Sequence, residues 1–246
     1  MFTGRTYYLD SLPEEIENQS IGEDSLSIKK KNSEGNDFTI YYVELNKREY
    51  FYAYLKPEDS EPQKVFIVNR INFNLIVSNQ KDKKLGITAF AYPKLSDWNR
   101  GMYFLLDNGI FKSLIEPQIN INDIESIKRS FAPRAIIKVE FQSIPSEVDH
   151  REHESTGRRD ISTDAMVSND IKSGATINML IIQCKLGKSE GKLVFRADGR
   201  VSYVGESEKI ENDEIAHILL DKLINLNMVY RPSANQQKTL DDIFKS

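Results

Sequence analysis

The sequence predicts a mixed α+β fold that is rich in antiparallel β-strands. Aromatic and β-branched runs alternate with turn residues through roughly the first ninety positions, the composition becomes abruptly polar after Pro145, and an amphipathic helix follows later. We therefore expect four parts: a β-rich meander or barrel-like domain at residues 1–145, a mobile polar loop or linker at 146–176, a smaller strand–hairpin–helix part at 177–230, and a polar tether with a docking peptide at 231–246.

The overall composition is that of an ordinary globular chain. Of the 246 residues, 39% are hydrophobic and 28% are charged, and the formal net charge is -4. A net negative charge excludes a protein that coats nucleic acid by bulk electrostatics. Residues 61–145 carry 12 basic and 8 acidic side chains, which is compatible with a modest phosphate-contacting face.

Cysteine content and hydropathy limit the compartment. Cys184 is the single cysteine, so an intramolecular disulfide and a cysteine zinc cluster are both excluded. No apolar run of signal-peptide length opens the sequence, and no run of about 18 apolar residues occurs. We therefore expect no membrane partner and an intracellular location, the nucleus in a eukaryote or the cytoplasm in an archaeon.

The β-rich part is predicted strand by strand from its apolar runs. Residues 1–37 are polar and acidic and end in a lysine-rich loop. Residues 46–49, Asn-Lys-Arg-Glu, read as the turn of a hairpin, and alternation over 71–77 is typical of a half-buried strand. The expected strands, about five in an antiparallel meander, are 38–45, 50–55, 65–68, 71–77 and 85–92.

The middle and the C-terminal part contain further elements. Two short runs, 103–106 and 110–115, flank an Asp107-Asn108-Gly109 turn. Asn122 is placed to cap a helix that ends at Phe131. Strands are expected at 134–141 and 177–184, a hairpin at 193–196 and 201–204 around Asp198-Gly199, and a helix at 211–227 whose apolar stripe is Ile215, Ile218, Leu219, Leu223 and Leu226.

A short peptide in the tether carries the clearest functional signal. Leu240, Ile243 and Phe244 are spaced so that one helical turn puts all three side chains on the same side. Thr239 is placed as the N-cap of that turn, with Asp242 three residues later. Such a plug fits a hydrophobic groove on a partner, and Gln237 can hydrogen-bond the backbone at the rim of the groove.

This peptide resembles the PCNA-interacting motif of replication and repair proteins. Gln237, Leu240, Ile243 and Phe244 fill its four slots, with Ile243 where an aromatic residue is usual. The resemblance implies docking on a sliding clamp of the archaeal or eukaryotic kind. The alternative is that the apolar residues pack on the protein's own surface.

A second resemblance points to a nuclease. Asp170, Gln183 and Lys185 are similar to the metal-binding Asp and the following pair of the Mrr-like branch of PD-(D/E)xK nucleases. There the acidic and amide oxygens hold Mg²⁺ and the lysine steadies the attacking water. Asp170 follows a loop rather than a strand, and a glycine-containing segment replaces the usual helix after Lys185. The alternative is a plain buried strand.

Three weaker candidates remain. Aromatic residues of the first predicted hairpin lie near basic ones, and this surface could stack single-stranded bases or could be ordinary sheet packing. His150 and His153 lie beside acidic residues and could chelate a metal, or form a solvated charge cluster; His217 is expected to be a partly exposed helix residue. The hairpin residues are Phe38, Tyr41, Tyr42, Tyr50, Phe51, Tyr52 and Tyr54, with Lys47, Arg48 and Lys56.

The sequence thus leaves three functional hypotheses. The first is an accessory subunit of DNA replication or repair that docks on a sliding clamp and whose body binds protein, DNA or RNA. The second is the Mg²⁺-dependent nuclease, and the third is a scaffold or hetero-complex subunit without a nucleic-acid role. No phosphate-cradling loop and no nucleophile elbow occurs, so we predict no cofactor, no metal site and no assigned catalytic residue.

Overall fold

A computed structural model describes most of the chain as strands and helices. It describes residues 1–9, 14–31, 38–56, 61–78, 84–89, 95–111, 114–115, 118–143, 151–154, 160–205, 211–224, 226 and 228–229. The elements are β1 (Phe2–Leu9), β2 (Ile16–Ile21), β3 (Asp24–Lys31), β4 (Phe38–Ala53), β5 (Gln63–Ser78), β6 (Lys84–Ala89), α1 (Leu95–Asp107), β7 (Leu114–Ile115), β8 (Gln118–Ile119), α2 (Ile124–Phe131), β9 (Ala135–Ser143), β10 (Arg151–Glu154), α3 (Ala165–Lys172), β11 (Thr176–Leu186), β12 (Ser189–Arg196), β13 (Arg200–Gly205), α4 (Asn212–Ile224) and β14 (Met228–Val229).

One antiparallel sheet of 12 strands dominates the fold, with the order β10-β9-β11-β12-β13-β1-β6-β5-β4-β3-β2 and β7 added beside β1. Strands β2 to β6 follow one another as a meander, as do β11 to β13. The predicted β-rich α+β class therefore agrees with the structure. No helix among the described residues has the length and hydrophobicity needed to cross a membrane.

Strand β1 joins the two meanders, although the sequence predicts no strand before residue 38. It pairs with β13 through Phe2↔Tyr203 and with β6 through Tyr7↔Gly86. One sheet therefore runs through residues of both predicted domains. The short alternation of β1 is hard to see in a polar segment, but its partners bury Phe2 and Tyr7 completely.

The predicted turn at residues 46–49 is wrong, because β4 is one continuous strand of 16 residues. Its pairing with β5, also of 16 residues, runs without a register shift from Phe38↔Ser78 to Ala53↔Gln63. The separate strands predicted at 65–68 and 71–77 likewise belong to one strand. Polar residues do not end a strand whose backbone hydrogen bonds continue in register on its partner.

The run 103–106 lies in helix α1 rather than in a strand. Met102 and Leu105 of α1 are buried against the sheet, and a Cβ added to Gly101 would lie 2.7 Å from Cε1 of Phe73. Glycine therefore allows α1 to approach β5 closely. The predicted turn at 107–109 follows the helix, with Gly109 at φ +72°.

Helix α2 confirms the predicted helix, but Asp123 rather than Asn122 is its N-cap. The Asp123 side chain accepts hydrogen bonds from the hydroxyl and the backbone N–H of Ser126, and these bonds lower the pKa of Asp123. The Asn122 side chain instead accepts a hydrogen bond of 2.8 Å from the backbone N–H of Ile177, at the start of β11.

Part of the predicted mobile linker contains secondary structure. Strand β10 pairs with β9, and helix α3 buries Val167 in the core. Asp160 accepts hydrogen bonds from the backbone N–H groups of Ile136 and Ser162. Residues 151–154 and 160–176 therefore depart from the prediction, whereas residues 144–150 and 155–159 lie outside the described residues.

Two hydrophobic clusters cover the two sides of the sheet. The larger one joins α2, α3 and α4 to strands of both meanders, including Phe38 and Ile76 of the first. The smaller one lies between β3, β4, β5 and α1. Helix α4 confirms the predicted final helix and is held over the first meander, where Asp213 binds Lys31 at 3.2 Å and accepts a hydrogen bond from Asn74.

Candidate functional site

Strands β4 and β5 extend beyond the rest of the sheet. Strand β3 pairs with β4 only from Ile40 to Asn46, and β6 pairs with β5 only from Asn74 to Val77. Among the described residues, 47–53 and 63–69 pair with each other alone. We call these two segments the ribbon, and Arg70 lies opposite Asn46 where the ribbon meets the sheet. A hydrogen bond of 2.9 Å from the Arg48 backbone N–H to the Asp24 carboxylate ties its base to the start of β3.

The ribbon and the residues that follow β4 expose an unusual set of large hydrophobic side chains. Within the described part of the chain, the other exposed large hydrophobic residues are Met1, Met166 and Val204. A contiguous exposed apolar patch generally marks an interaction surface. The exposed residues of this patch are Tyr50, Phe51, Tyr52, Tyr54, Leu55, Phe66, Ile67 and Val68.

The two faces of the ribbon differ, because side chains alternate along each strand and directly opposite residues share a face. One face pairs Tyr50 with Phe66 and Tyr52 with Lys64. It also carries Arg70, which lies opposite Asn46 at the base of the ribbon. We call this the cation–aromatic face: Arg48, Tyr50, Tyr52, Lys64, Phe66 and Arg70, with Val68 beside Arg48.

Rings and cations interleave on the cation–aromatic face. The Tyr50 and Phe66 ring centroids are 5.9 Å apart, with the ring planes tilted by 56°. The Arg48 guanidinium carbon lies 5.0 Å from the Phe66 centroid, and the Lys64 ammonium lies 4.3 Å from the Tyr50 centroid. Each cation is therefore close to an aromatic ring on the partner strand, at distances typical of cation–π contacts.

Two carboxylates lie near this face, both toward the base of the ribbon. A hydrogen bond with Glu23 raises the pKa of Tyr50, and Arg48 acts in the opposite direction. Arg70 lies 3.7 Å from Glu44 and donates a hydrogen bond to Asn46. Arg48 and Lys64 form no salt bridge with the described residues, so their charge is not neutralised by a paired carboxylate there.

The opposite face, which we call the apolar face, carries Phe51, Val65 and Ile67, with Lys47 and Glu49 toward its base. It continues the side of the sheet on which α1 packs, since Tyr41, Val43 and Leu45 precede it along β4. Glu49 on this side forms a salt bridge of 3.2 Å with Arg100 of α1. The apolar face thus continues, along the same strands, the side of the sheet that carries a core surface.

The structure divides the predicted aromatic hairpin between core and surface. Phe38 and Tyr41 are buried and Tyr42 is half-buried, so these three contribute to sheet packing. Tyr50, Phe51, Tyr52 and Tyr54 are exposed; Arg48 lies with Tyr50 and Tyr52, Lys47 lies on the apolar side, and Lys56 follows the strand. Sequence reasoning missed Lys64, Phe66 and Arg70, because their place beside Tyr50 depends on the register of β5 against β4.

The nuclease candidates lie on different kinds of element. Asp170 is buried on helix α3, whereas Gln183 and Lys185 belong to β11. Gln183 is buried and its amide nitrogen has no hydrogen-bond partner among the described residues, whereas Lys185 is exposed. In the nucleases that this pattern resembles, the Asp and the Lys come from neighbouring strands, so the position of Asp170 departs from that arrangement.

The remaining candidates show no assembled site. No group of three or more His, Cys, Asp or Glu side chains in the described part of the chain is placed to hold a metal ion. His150 and the side chain of His153 lie outside the described residues. His217 is exposed on α4 and contacts Phe38 edge to face, with ring centroids 4.3 Å apart. Burial raises the pKa of Cys184 to about 12, which makes it a poor nucleophile.

An open pocket of about 350 Å³ lies between α2 and α4, lined by Ser126, Arg129, Ser130, Asp221 and Lys222. The Lys222 ammonium donates a hydrogen bond to the Ser130 carbonyl at 2.9 Å, and Arg129 donates to the Ser126 hydroxyl at 3.1 Å. Both cations thus have partners within the pocket wall. The predicted docking residues Gln237, Leu240, Ile243 and Phe244 lie outside the described residues.

The ribbon is therefore the candidate site that the described structure offers. In comparisons with known proteins, no family model, no curated protein and no solved structure matches this chain.

Proposed function

We propose that this chain is a non-catalytic accessory subunit of DNA replication or repair. In this proposal residues 231–246 dock on a sliding clamp, and the ribbon is the surface on which the body holds a second partner. Exposure of Tyr50, Phe51, Phe66 and Ile67 on a projecting ribbon is the observation that carries the binding role. Exposed apolar area of this kind is unfavourable in water and is covered when a partner binds.

Binding is better supported than catalysis by the arrangement of reactive groups. The cysteine is buried, the candidate Asp170 lies on a helix, and the described residues assemble no metal-binding cluster. A contact surface needs none of these, since exposed aromatic and basic side chains are sufficient for recognition. The nuclease hypothesis has no comparable structural support.

The identity of the first partner rests on the peptide in the tether. Leu240, Ile243 and Phe244 form an apolar triad at helical spacing, and Thr239 can cap the turn that presents them. Because the segment has to order on binding, its affinity should be moderate, roughly micromolar. This function implies the nucleus in a eukaryote and the cytoplasm in an archaeon.

Clamp docking is tested by calorimetric titration of a peptide spanning residues 232–246 into purified archaeal and eukaryotic sliding clamps. We expect a dissociation constant of roughly micromolar order that is lost in Leu240→Ala and Phe244→Ala, because these side chains fill the groove. Lys238→Ala, at a free position of the motif, is the matched control and should bind as the wild type does.

The same comparison is then repeated with the full-length chain by co-purification with the clamp. A Phe244→Ala chain that co-purifies at the wild-type level would show that the tail is not the docking element. A wild-type peptide that binds neither clamp would leave the chain as a scaffold or complex subunit with another partner.

A further inference from the structure

The geometry points to single-stranded nucleic acid as the partner of the cation–aromatic face. We propose that bases stack on Tyr50, Tyr52 and Phe66 while phosphates lie near Arg48, Lys64 and Arg70. This inference rests on the proposed role of the ribbon as a contact surface. It does not depend on clamp docking, since the ribbon and the tail are separate parts of the chain.

The aromatic rings of the cation–aromatic face are accessible to solvent. Tyr52 is 71% exposed, Phe66 is 51% exposed and Tyr50 is 39% exposed, although side chains of this size are usually covered. Exposed ring faces are what an unpaired base needs, because base–aromatic stacking is favourable and tolerant of sequence. Three partly exposed rings on one face of a short ribbon, two of them with centroids 5.9 Å apart, offer neighbouring positions for successive bases.

The same face carries positive charge that is complementary to phosphate. Arg48 and Lys64 form no salt bridge with the described residues. The Arg48 guanidinium lies 5.0 Å from the Phe66 ring centroid, and the Lys64 ammonium lies 4.3 Å from the Tyr50 ring centroid. Arg70 adds a third cation at the base, where Glu44 partly offsets it. Cations that alternate with rings match the alternation of phosphate and base along a single strand. The negative net charge of the chain does not oppose this, because screened electrostatics act locally.

The apolar face of the ribbon differs from the cation–aromatic face in composition. Phe51, Val65 and Ile67 form an aliphatic and aromatic patch, whose basic neighbours are Lys47 at the base of the ribbon and Arg100 of α1, the latter paired with Glu49. That composition suits a protein contact, whereas the cation–aromatic face suits an anionic polymer that carries flat rings. A duplex is a poorer fit than a single strand, because its bases are already stacked and hidden from the protein rings.

The test measures binding of the full-length chain to a fluorescent oligothymidylate of about 16 nucleotides by anisotropy, beside an oligouridylate and a duplex of the same length. We expect the single strands to bind and the duplex to bind more weakly. Replacing one stacking ring by alanine typically weakens binding by about 5-fold to 150-fold, so Tyr50→Ala with Phe66→Ala should weaken it by at least about 25-fold.

The matched control is the adjacent cross-strand pair on the other face, Phe51→Ala with Val65→Ala, which removes apolar side chains from the same ribbon. It should change the affinity by no more than about 2-fold. Circular dichroism and urea midpoints of both double variants show that neither has lost the fold. Equal losses in both double variants would overturn the proposed face.

The phosphate contacts are tested through the salt dependence. Arg48→Ala with Lys64→Ala should reduce the slope of log affinity against log salt by about 1.4, since each phosphate contact on a single strand contributes about 0.7. Lys188→Ala with Lys192→Ala, two exposed cations on the β11–β12 hairpin, removes the same charge elsewhere and should leave the slope unchanged.

A wild-type chain that binds neither single strand, or that prefers the duplex, would overturn this inference. If that chain still binds the clamp through its tail, clamp docking stands and only the assignment of the ribbon fails. Conversely, single-strand binding by a chain whose tail ignores the clamp would support the ribbon and overturn the docking proposal.

Discussion

The embedded and the projecting half of the β4–β5 hairpin are both rich in large apolar side chains, which are buried in the embedded half and exposed in the projecting half. In the embedded half, Val43, Leu45 and Phe73 are buried between the sheet and α1. In the projecting half, Phe51 and Ile67 continue the same side of the same strands and are 44% and 48% exposed. The difference is not in the strands but in their neighbours, since β3 and β6 pair only with the embedded half and the buried side chains Met102 and Leu105 of α1 belong to the core cluster of that half. Alternation of apolar residues therefore predicts a strand without predicting what covers it.

This contrast separates stability from recognition within one hairpin. Burial of a large apolar side chain contributes roughly 1.5–3 kcal/mol to folding, so the embedded half stabilises the protein. Side chains of the projecting half stay partly in water and contribute less. What they retain is the capacity to bury area against a partner, which is consistent with a ribbon that serves as a contact surface.

The largest expected effect on stability comes from replacing a buried isoleucine of β5, and an exposed isoleucine on the same face of that strand is its control. Ile71→Ala should lower the free energy of unfolding by about 2–5 kcal/mol, because Ile71 is 4% exposed and its removal leaves a cavity. Ile67→Ala, four residues away and half exposed, should cost less than about 1 kcal/mol. Urea denaturation monitored by circular dichroism measures both. Similar losses in the two variants would mean that the ribbon is packed as tightly as the core.

The rate at which a thiol reagent labels a cysteine tests the same contrast between buried and exposed positions. Cys184 should not react with a thiol reagent at pH 8 in the folded protein, since burial raises its pKa to about 12. Tyr52→Cys in a Cys184→Ala background places a thiol on the ribbon and should react within the mixing time of a manual assay. Rapid labelling of native Cys184 would contradict the burial of β11 against α4.

The raised pKa of Cys184 also predicts how stability depends on pH. An unfolded thiol loses its proton above about pH 8.5, whereas the folded one keeps it until about pH 12, so stability is fully present below about 8.5 and falls as the pH rises toward 12. Near pH 10 the loss from this group should be about 2 kcal/mol. The matched control is Cys184→Ala, whose stability should decline less over the same interval.

The smallest expected effect on stability comes from removing the ribbon. Replacing residues 48–68 by an Asn-Gly turn leaves Lys47 opposite Asn69, which are paired in the native register, and such a two-residue turn fits an antiparallel hairpin. We expect the free energy of unfolding to change by about 1 kcal/mol or less, because the lost contacts are exposed. The shortened chain should lose single-strand binding and keep clamp binding. Failure of this variant to fold would show that the ribbon supports the sheet.

Several features of the fold were predictable because they depend on local sequence. The helices ending at Phe131 and beginning near Asn212 follow from apolar spacing, and the turn at 198–199 follows from the Asp-Gly pair, whose glycine has φ +83° in the structure. The errors are of another kind. Helix α1 and the unbroken β4 depend on contacts with distant residues, such as Phe73 against Gly101, which no local pattern contains.

The sequence by itself determined the β-rich α+β class, the amphipathic final helix and the apolar triad of the tether, because periodicity and residue spacing are properties of neighbouring positions. The tertiary structure decided that β1 joins two meanders into one sheet and that β4 and β5 project beyond it. It also decided which hairpin aromatics lie in the core and which lie beside Lys64 and Phe66 on an exposed face. These outcomes depend on the register between strands, and register is set by pairing over long sequence distances.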